Sequence, residues 1–236
     1  LHSNTLKIVA ETAKLLGEEA SEKKYRKKYE THLKKIRRAY FTQTGRLAFD
    51  TVTAQVVALH FGIVPEKYRS DLAKKLNENI KKHGTRVTTG FIGTTFLMYA
   101  LADNGYFDTA CKLLLNEQFP GWLYEVDMGA TTVWERWNSL MPDGTPNPNG
   151  MNSYNHYAYG SVMEFVYRRI AGIEAAAPGF EKAEICPRPC KGLARVHAEY
   201  DSVHGRIGAG YAEKDGEIVY TAEIPEGMEA YLSLPG

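Results

Sequence analysis

The stretch Ala175-Ala176-Ala177-Pro178-Gly179 separates two periods of hydrophobicity. Before it, apolar side chains recur every three or four residues, the spacing that gathers them on one face of a helix. After it, apolar and polar residues alternate, the spacing of a strand with one covered face. Proline and glycine at the end of the stretch break the helical pattern, so a helical region gives way here to a β region.

Upstream of that point, residues from about Ser153 to Ile170 read as one long helix, preceded by a loop over 139–152 rich in Pro, Gly and Asn. Further back, Ala110, Leu113 and Leu114 mark one helix, and Leu97, Ala100 and Leu101 another that ends at Asn104-Gly105. Pro65 stands where a first-turn proline belongs, ahead of Leu72, Leu76 and Ile80, with Gly84 closing the helix. Val52, Val56 and Leu59 precede Gly62; Tyr25, Tyr29, Leu33, Ile36 and Tyr40 form a stripe; Leu6, Val9, Ala10, Ala13 and Leu16 form the first, stopped by Gly17. Downstream, Ala194, Val196, Ala198 and Tyr200 alternate, and Ile207–Tyr211 and Ile218–Ala222 read as strands joined by a turn at Lys214-Asp215-Gly216-Glu217. The expected organisation is mainly α over 1–175 and a small antiparallel β domain over 176–236. Periodicity leaves a bundle, a superhelical repeat and a toroid of hairpins open for the helical part.

The bulk properties exclude some classes. A net charge of +1 over 236 residues gives no electrostatic case for nucleic acid or for a membrane surface. The basic residues around Lys23–Lys28 and Lys34–Arg38 resemble a patch, but Glu22, Glu30 and other acids offset them, so they read as a solvated helix face. Three cysteines, two of them in Cys186-Pro187-Arg188-Pro189-Cys190, do not make a disulfide framework. His83, His156, His197 and His204 lack metal-ligand spacing. Leu1-His2-Ser3-Asn4 does not read as a signal peptide.

The chemistry concentrates in Gly129-Ala130-Thr131-Thr132-Val133-Trp134-Glu135-Arg136-Trp137. Two of the three tryptophans in the chain flank one carboxylate there. Indoles stack on the C–H faces of sugars and carboxylates bind their hydroxyls, so the grouping points to a carbohydrate site. The competing reading is a packed Trp pair with Glu135 tied to Arg136.

The segment resembles the GATTxWERW signature of the bacterial α-L-rhamnosidases, a family of inverting glycoside hydrolases. Met151-Asn152-Ser153-Tyr154-Asn155-His156-Tyr157-Ala158-Tyr159-Gly160 is similar to that family's MNSxNHYAxG, and Thr88-Thr89-Gly90-Phe91-Ile92-Gly93-Thr94 to its TTGFxGT. The three come in the family's order, and the resemblance runs over almost the whole chain. It implies an α/α toroid of six helical hairpins followed by a C-terminal β-sandwich. With about seven helices the chain is expected to supply the later part of the toroid and its β tail, the earlier part lying upstream.

The resemblance further implies that Glu135 is the general base and that His156 and Asn155 contact the sugar. One of Trp134 and Trp137 is expected on the wall of a cavity shared with His156. Arg136 is expected to keep Glu135 charged, and no cofactor is required. Trp122 and Tyr124 either line the site or pack in the core. The family's general acid belongs to a motif like DCPQRDERxGW, which this chain does not contain, so the acid is expected upstream and the isolated chain is expected to be inactive. The expected partners are a rhamnose-containing glycan or glycoside and, across the open face, the remaining N-terminal portion or a second copy. Alternatives are another glycosidase, or a lyase, on the same toroid acting on a different sugar, and a non-catalytic carbohydrate-binding or structural fragment.

Overall fold

The computed structural model describes residues 2–235. By packing, the chain forms two compact units, Leu1–Asn79 and Ile80–Gly236. The β strands therefore share a unit with the helices that follow residue 80, although the sequence pattern changes only near 175.

In the first unit, α1 (His2–Leu15) packs on α2 (Glu19–Tyr40), and α3 (Val52–His60) precedes α4 (Arg69–Lys82). Thr51 caps α3 by accepting the Ala54 N–H. Pro65 stands before a short 3-10 turn, Glu66–Tyr68, that leads into α4. On α2, Tyr25, Tyr29, Leu33 and Ile36 are half-buried and Tyr40 is exposed, and the helix has no fully buried residue. Its basic residues are exposed apart from Arg26 and Arg37. The Arg37 guanidinium donates to the carbonyls of Gly62, Ile63 and Val64, which satisfies acceptors that a helix end and its following turn leave open. The core of this unit gathers Val56, Leu59, Leu72, Ala73 and Leu76.

In the second unit, α5 (Phe91–Ala102) is apolar all round and buries eight residues, as expected of a central helix. The helices α6 (Phe107–Leu114) and α7 (Trp122–Asp127) follow. Residues 128–157 carry no helix or strand, apart from an isolated bridge between Leu140 and Pro146. The expected long helix begins later than its pattern indicates. Residues 153–157 are irregular, and the helical run starts at Ala158 as a 3-10 turn, passes through α8 (Val162–Phe165) and ends as a π-helix over Val166–Ala171. Gly172, at φ +81°, closes it in the left-handed region, and an added Cβ would lie 2.1 Å from the Cys186 carbonyl carbon.

Strand β1 (Ile173–Ala175) begins before the expected boundary and pairs with β2 (Lys182–Ile185). Strands β3 (Arg195–Ser202), β4 (Gly205–Lys214) and β5 (Glu217–Glu223) form an antiparallel meander, with the turn at 214–217 where the sequence marks it. The β region is not purely antiparallel: β6 (Glu229–Leu232) runs parallel to β2, giving the order β1-β2-β6 in the second sheet. The core between the sheets joins Ile173, Ala183, Ile185, Ala198, Ile207 and Ala209 to Ala171 and Tyr167 of the helical run. That shared core is why helices and sheets pack as one unit. The three cysteines are free.

Candidate active site

Two irregular segments lie side by side. The Glu135 N–H donates to the Ser153 carbonyl at 2.9 Å, and the His156 N–H donates to the Val133 carbonyl at 2.8 Å. The Thr132 hydroxyl donates to the Tyr154 carbonyl. These bonds satisfy backbone groups that no helix or strand serves, and they bring residues 132–135 alongside 153–156. The Ser153 N–H donates at 3.2 Å to Oε2 of Glu135, whose side chain is half-buried. Among the described residues that carboxylate forms no ion pair. The Arg136 guanidinium turns away from it, donating to the Gly150 carbonyl at 3.1 Å. The expected Arg136–Glu135 pair is thus replaced by a clamp from Arg136 onto the loop at Gly150.

His156 stacks on Phe91 with ring centroids 5.0 Å apart and on Tyr157 at 5.3 Å. Its Nδ1 accepts the Ala158 N–H at 3.3 Å. While that bond stands, Nδ1 carries no proton, so the neutral ring carries its proton on Nε2 and offers a donor there. The side chain of Asn155 is exposed.

The three indoles sit underneath. Trp122, Trp134 and Trp137 are 9%, 3% and 7% exposed. Trp137 stacks on Tyr159 at 3.9 Å and meets Trp122 edge-on at 5.3 Å. The Trp122 Nε1–H donates to the Tyr159 carbonyl at 2.9 Å, which satisfies the polar tip of a buried indole. Trp134 meets Tyr154 edge-on. The exposed ring beside His156 is instead that of Tyr157, 88% exposed. Thr89 and Thr94 bond to each other through their hydroxyls and close the turn before α5, which carries Phe91 beneath His156.

One acidic residue escapes the sequence reading. Glu125 of α7 is 4% exposed, and its Oε2 accepts the Trp134 N–H at 3.3 Å. Burial pushes its carboxyl up to about 7. A helix of six residues is too short to display a period that would mark its buried face.

Comparison with known proteins agrees with this architecture. Residues 1–170 match the bacterial alpha-L-rhamnosidase 6 hairpin glycosidase domain, and residues 172–236 match the bacterial alpha-L-rhamnosidase C-terminal domain. An alpha-L-rhamnosidase of Streptomyces avermitilis is 36% identical over 228 residues, covering 97% of this chain and 22% of the relative. One from Formosa agariphila is 32% identical over 235 residues, covering 99% and 25%. Among solved structures, the Streptomyces avermitilis alpha-L-rhamnosidase complexed with L-rhamnose aligns with a TM-score of 0.92 at 35% identity, covering 98% of this chain and 22% of that one. The Aspergillus terreus enzyme aligns at 0.95 and 30% identity, covering 99% and 27%. The chain thus spans about a quarter of the length of these relatives. With matches over both its helical and its β region, the chain belongs to the bacterial α-L-rhamnosidase six-hairpin glycosidase family.

Proposed function

We propose that this chain forms the base side of the active site of an inverting glycoside hydrolase that removes terminal α-L-rhamnosyl residues, with Glu135 as the general base. The observation that carries the reading is the pairing of residues 132–135 with 153–156, which sets the Glu135 carboxylate beside the His156 segment. The L-rhamnose complex of the Streptomyces avermitilis relative supports the choice of sugar.

Inversion uses two carboxyl groups about 6.5–9.5 Å apart, one deprotonating water and one protonating the leaving oxygen. The Ser153 N–H holds one oxygen of Glu135; the other is left to receive the proton of the attacking water. His156 donates through Nε2–H to a sugar hydroxyl, and Asn155 adds an exposed amide. Trp122, Trp134 and Trp137 support the loop from below. The proton for the leaving oxygen comes from a second carboxyl group, which the family resemblance assigns to a motif outside the segments matched here. Glu125 is not that acid, because it is buried beneath the loop.

The test replaces the matching segment of the Streptomyces avermitilis protein with this chain and assays an aryl α-L-rhamnoside. Glu135→Gln is expected to lower kcat by about 10²-fold or more, and NMR of the first-formed product is expected to show the β anomer. Near-wild-type turnover in Glu135→Gln would remove the base assignment, and an α product would remove inversion.

A further inference from the structure

Glu125 is a carboxyl group that the proposed chemistry does not use. It is 4% exposed, its Oε2 accepts the Trp134 N–H, and its Oε1 is buried without a hydrogen-bond partner. No cation pairs with it among the described residues. An unpaired buried carboxylate is costly, whereas the neutral acid keeps an acceptor and gains a donor. Its ionisable neighbour is Tyr159, whose phenol is raised by burial and then by the Glu125 charge; Arg136, which acts on the same phenol, directs its guanidinium to Gly150. The backbone around Glu125 is itself closed, since its carbonyl accepts the Ala130 N–H at 2.9 Å.

Trp134 immediately precedes Glu135. Its N–H is held by Glu125 and its indole packs on Tyr154. On the other side, Glu135 is bonded through both its backbone and its carboxylate to Ser153. We infer that Glu125 is a positioning residue for Glu135: by accepting the Trp134 N–H from inside the core, it fixes the backbone from which the Glu135 carboxylate leaves and keeps that carboxylate on the Ser153 N–H. The link to catalysis rests on the assignment of Glu135 above; the clamp itself does not.

The experiment follows two backbone amides by NMR in the 236-residue chain. The Trp134 amide is expected to titrate with a midpoint of about 7 in the unmodified chain and in Glu135→Gln, and to stay flat in Glu125→Gln, which retains the acceptor without the ionisation. The Ser153 amide is expected to remain protected from hydrogen exchange in Glu125→Gln and to exchange at least about tenfold faster in Glu125→Ala, through local opening of the loop. A Trp134 amide that titrates identically in Glu125→Gln overturns the clamp. A folded Glu125→Ala whose Ser153 amide is as protected as in the unmodified chain overturns the positioning role. If Glu125→Ala does not fold, the Glu125→Gln titration decides. Failure of the base assignment appears elsewhere, as turnover retained by Glu135→Gln in the Streptomyces avermitilis chimera, while the Trp134 amide still titrates.

Discussion

The β3–β4–β5 meander and the loops over 129–157 are both built largely of extended or irregular chain, yet they are held in opposite ways. In the meander every residue from Arg195 to Ser202 has a partner on β4, and β4 continues in register with β5 from Gly208 to Lys214. Support is shared over many equivalent bonds, and β5 manages with no buried residue at all. In the loops, support comes from a few unlike contacts, namely the Glu135–Ser153 bonds, the Val133–His156 bond, the Trp137–Tyr159 stack and the Glu125 carboxyl under Trp134. Distributed support tolerates side-chain change; single anchors do not. The difference suits the proposed function, because a carboxylate must be held in one direction while the chain around it stays open to substrate.

The sharpest break of this contrast is at Trp137. Replacing a buried indole that stacks on Tyr159 and meets Trp122 by alanine should cost about 3–5 kcal/mol in urea unfolding. A cost below about 1 kcal/mol would show that the loops do not depend on their aromatic floor.

The meander has one position where tolerance should fail. Gly210 pairs with His197, and an added Cβ would lie 2.0 Å from the Val196 carbonyl oxygen. Gly210→Ala should therefore cost about 2–3 kcal/mol through forced displacement of β3, read by urea unfolding at constant slope. A neutral outcome would mean that the sheet shifts freely, and that its support is looser than its register implies.

Glu125 gives the loops a pH dependence of their own. Its carboxyl is raised in the folded chain from an ordinary 4.5 to about 7. Between those values the folded state binds more protons than the unfolded state, so this group's contribution is complete below the ordinary value and is lost as pH rises through about 7. Glu125→Gln should remove that decline and be more stable than the unmodified chain at pH above 7. Equal pH slopes in urea titrations of the two proteins would refute it.

The smallest effect is expected at Arg206, which pairs with Asp201 and Glu199 on the exposed meander. Arg206→Ala should leave the urea midpoint unchanged, because solvent screens exposed pairs. A clear fall in that midpoint would show that the charged face, and not the ladder, carries these strands.

Much of the architecture was legible in the residues. The helical stripes from Leu6 to Leu114 and the alternation after Ala194 predict elements that the structure contains, because burial imposes the same period on the sequence and on the backbone. The turn at 214–217 was readable from Asp215-Gly216, since glycine favours the left-handed backbone that the turn needs, and Gly216 lies there at φ +81°. Legibility failed where partners lie far apart in sequence. Residues 153–157 lie beside a helical pattern, but their backbone groups bond to residues 132–135, so they leave the helix. The parallel β2–β6 pair joins Lys182 to Glu229, a separation that no local period encodes. Glu125 looked like one more acidic residue among 28, and only burial singles it out.

By itself, then, the sequence determined the change from helix to strand, because side-chain type and spacing report which face of a local element meets water; the candidate trio of Glu135, Asn155 and His156 came from the family resemblance of its motifs. Tertiary structure decided what those residues touch. It placed all three indoles inside, turned Arg136 to Gly150, set the Ser153 N–H on Glu135, and joined the β sheets and the helices after residue 80 into one unit. The reason is physical: a backbone group in an irregular loop must find its partner wherever the fold brings one, and a carboxyl group changes its proton affinity only when water is withdrawn from around it.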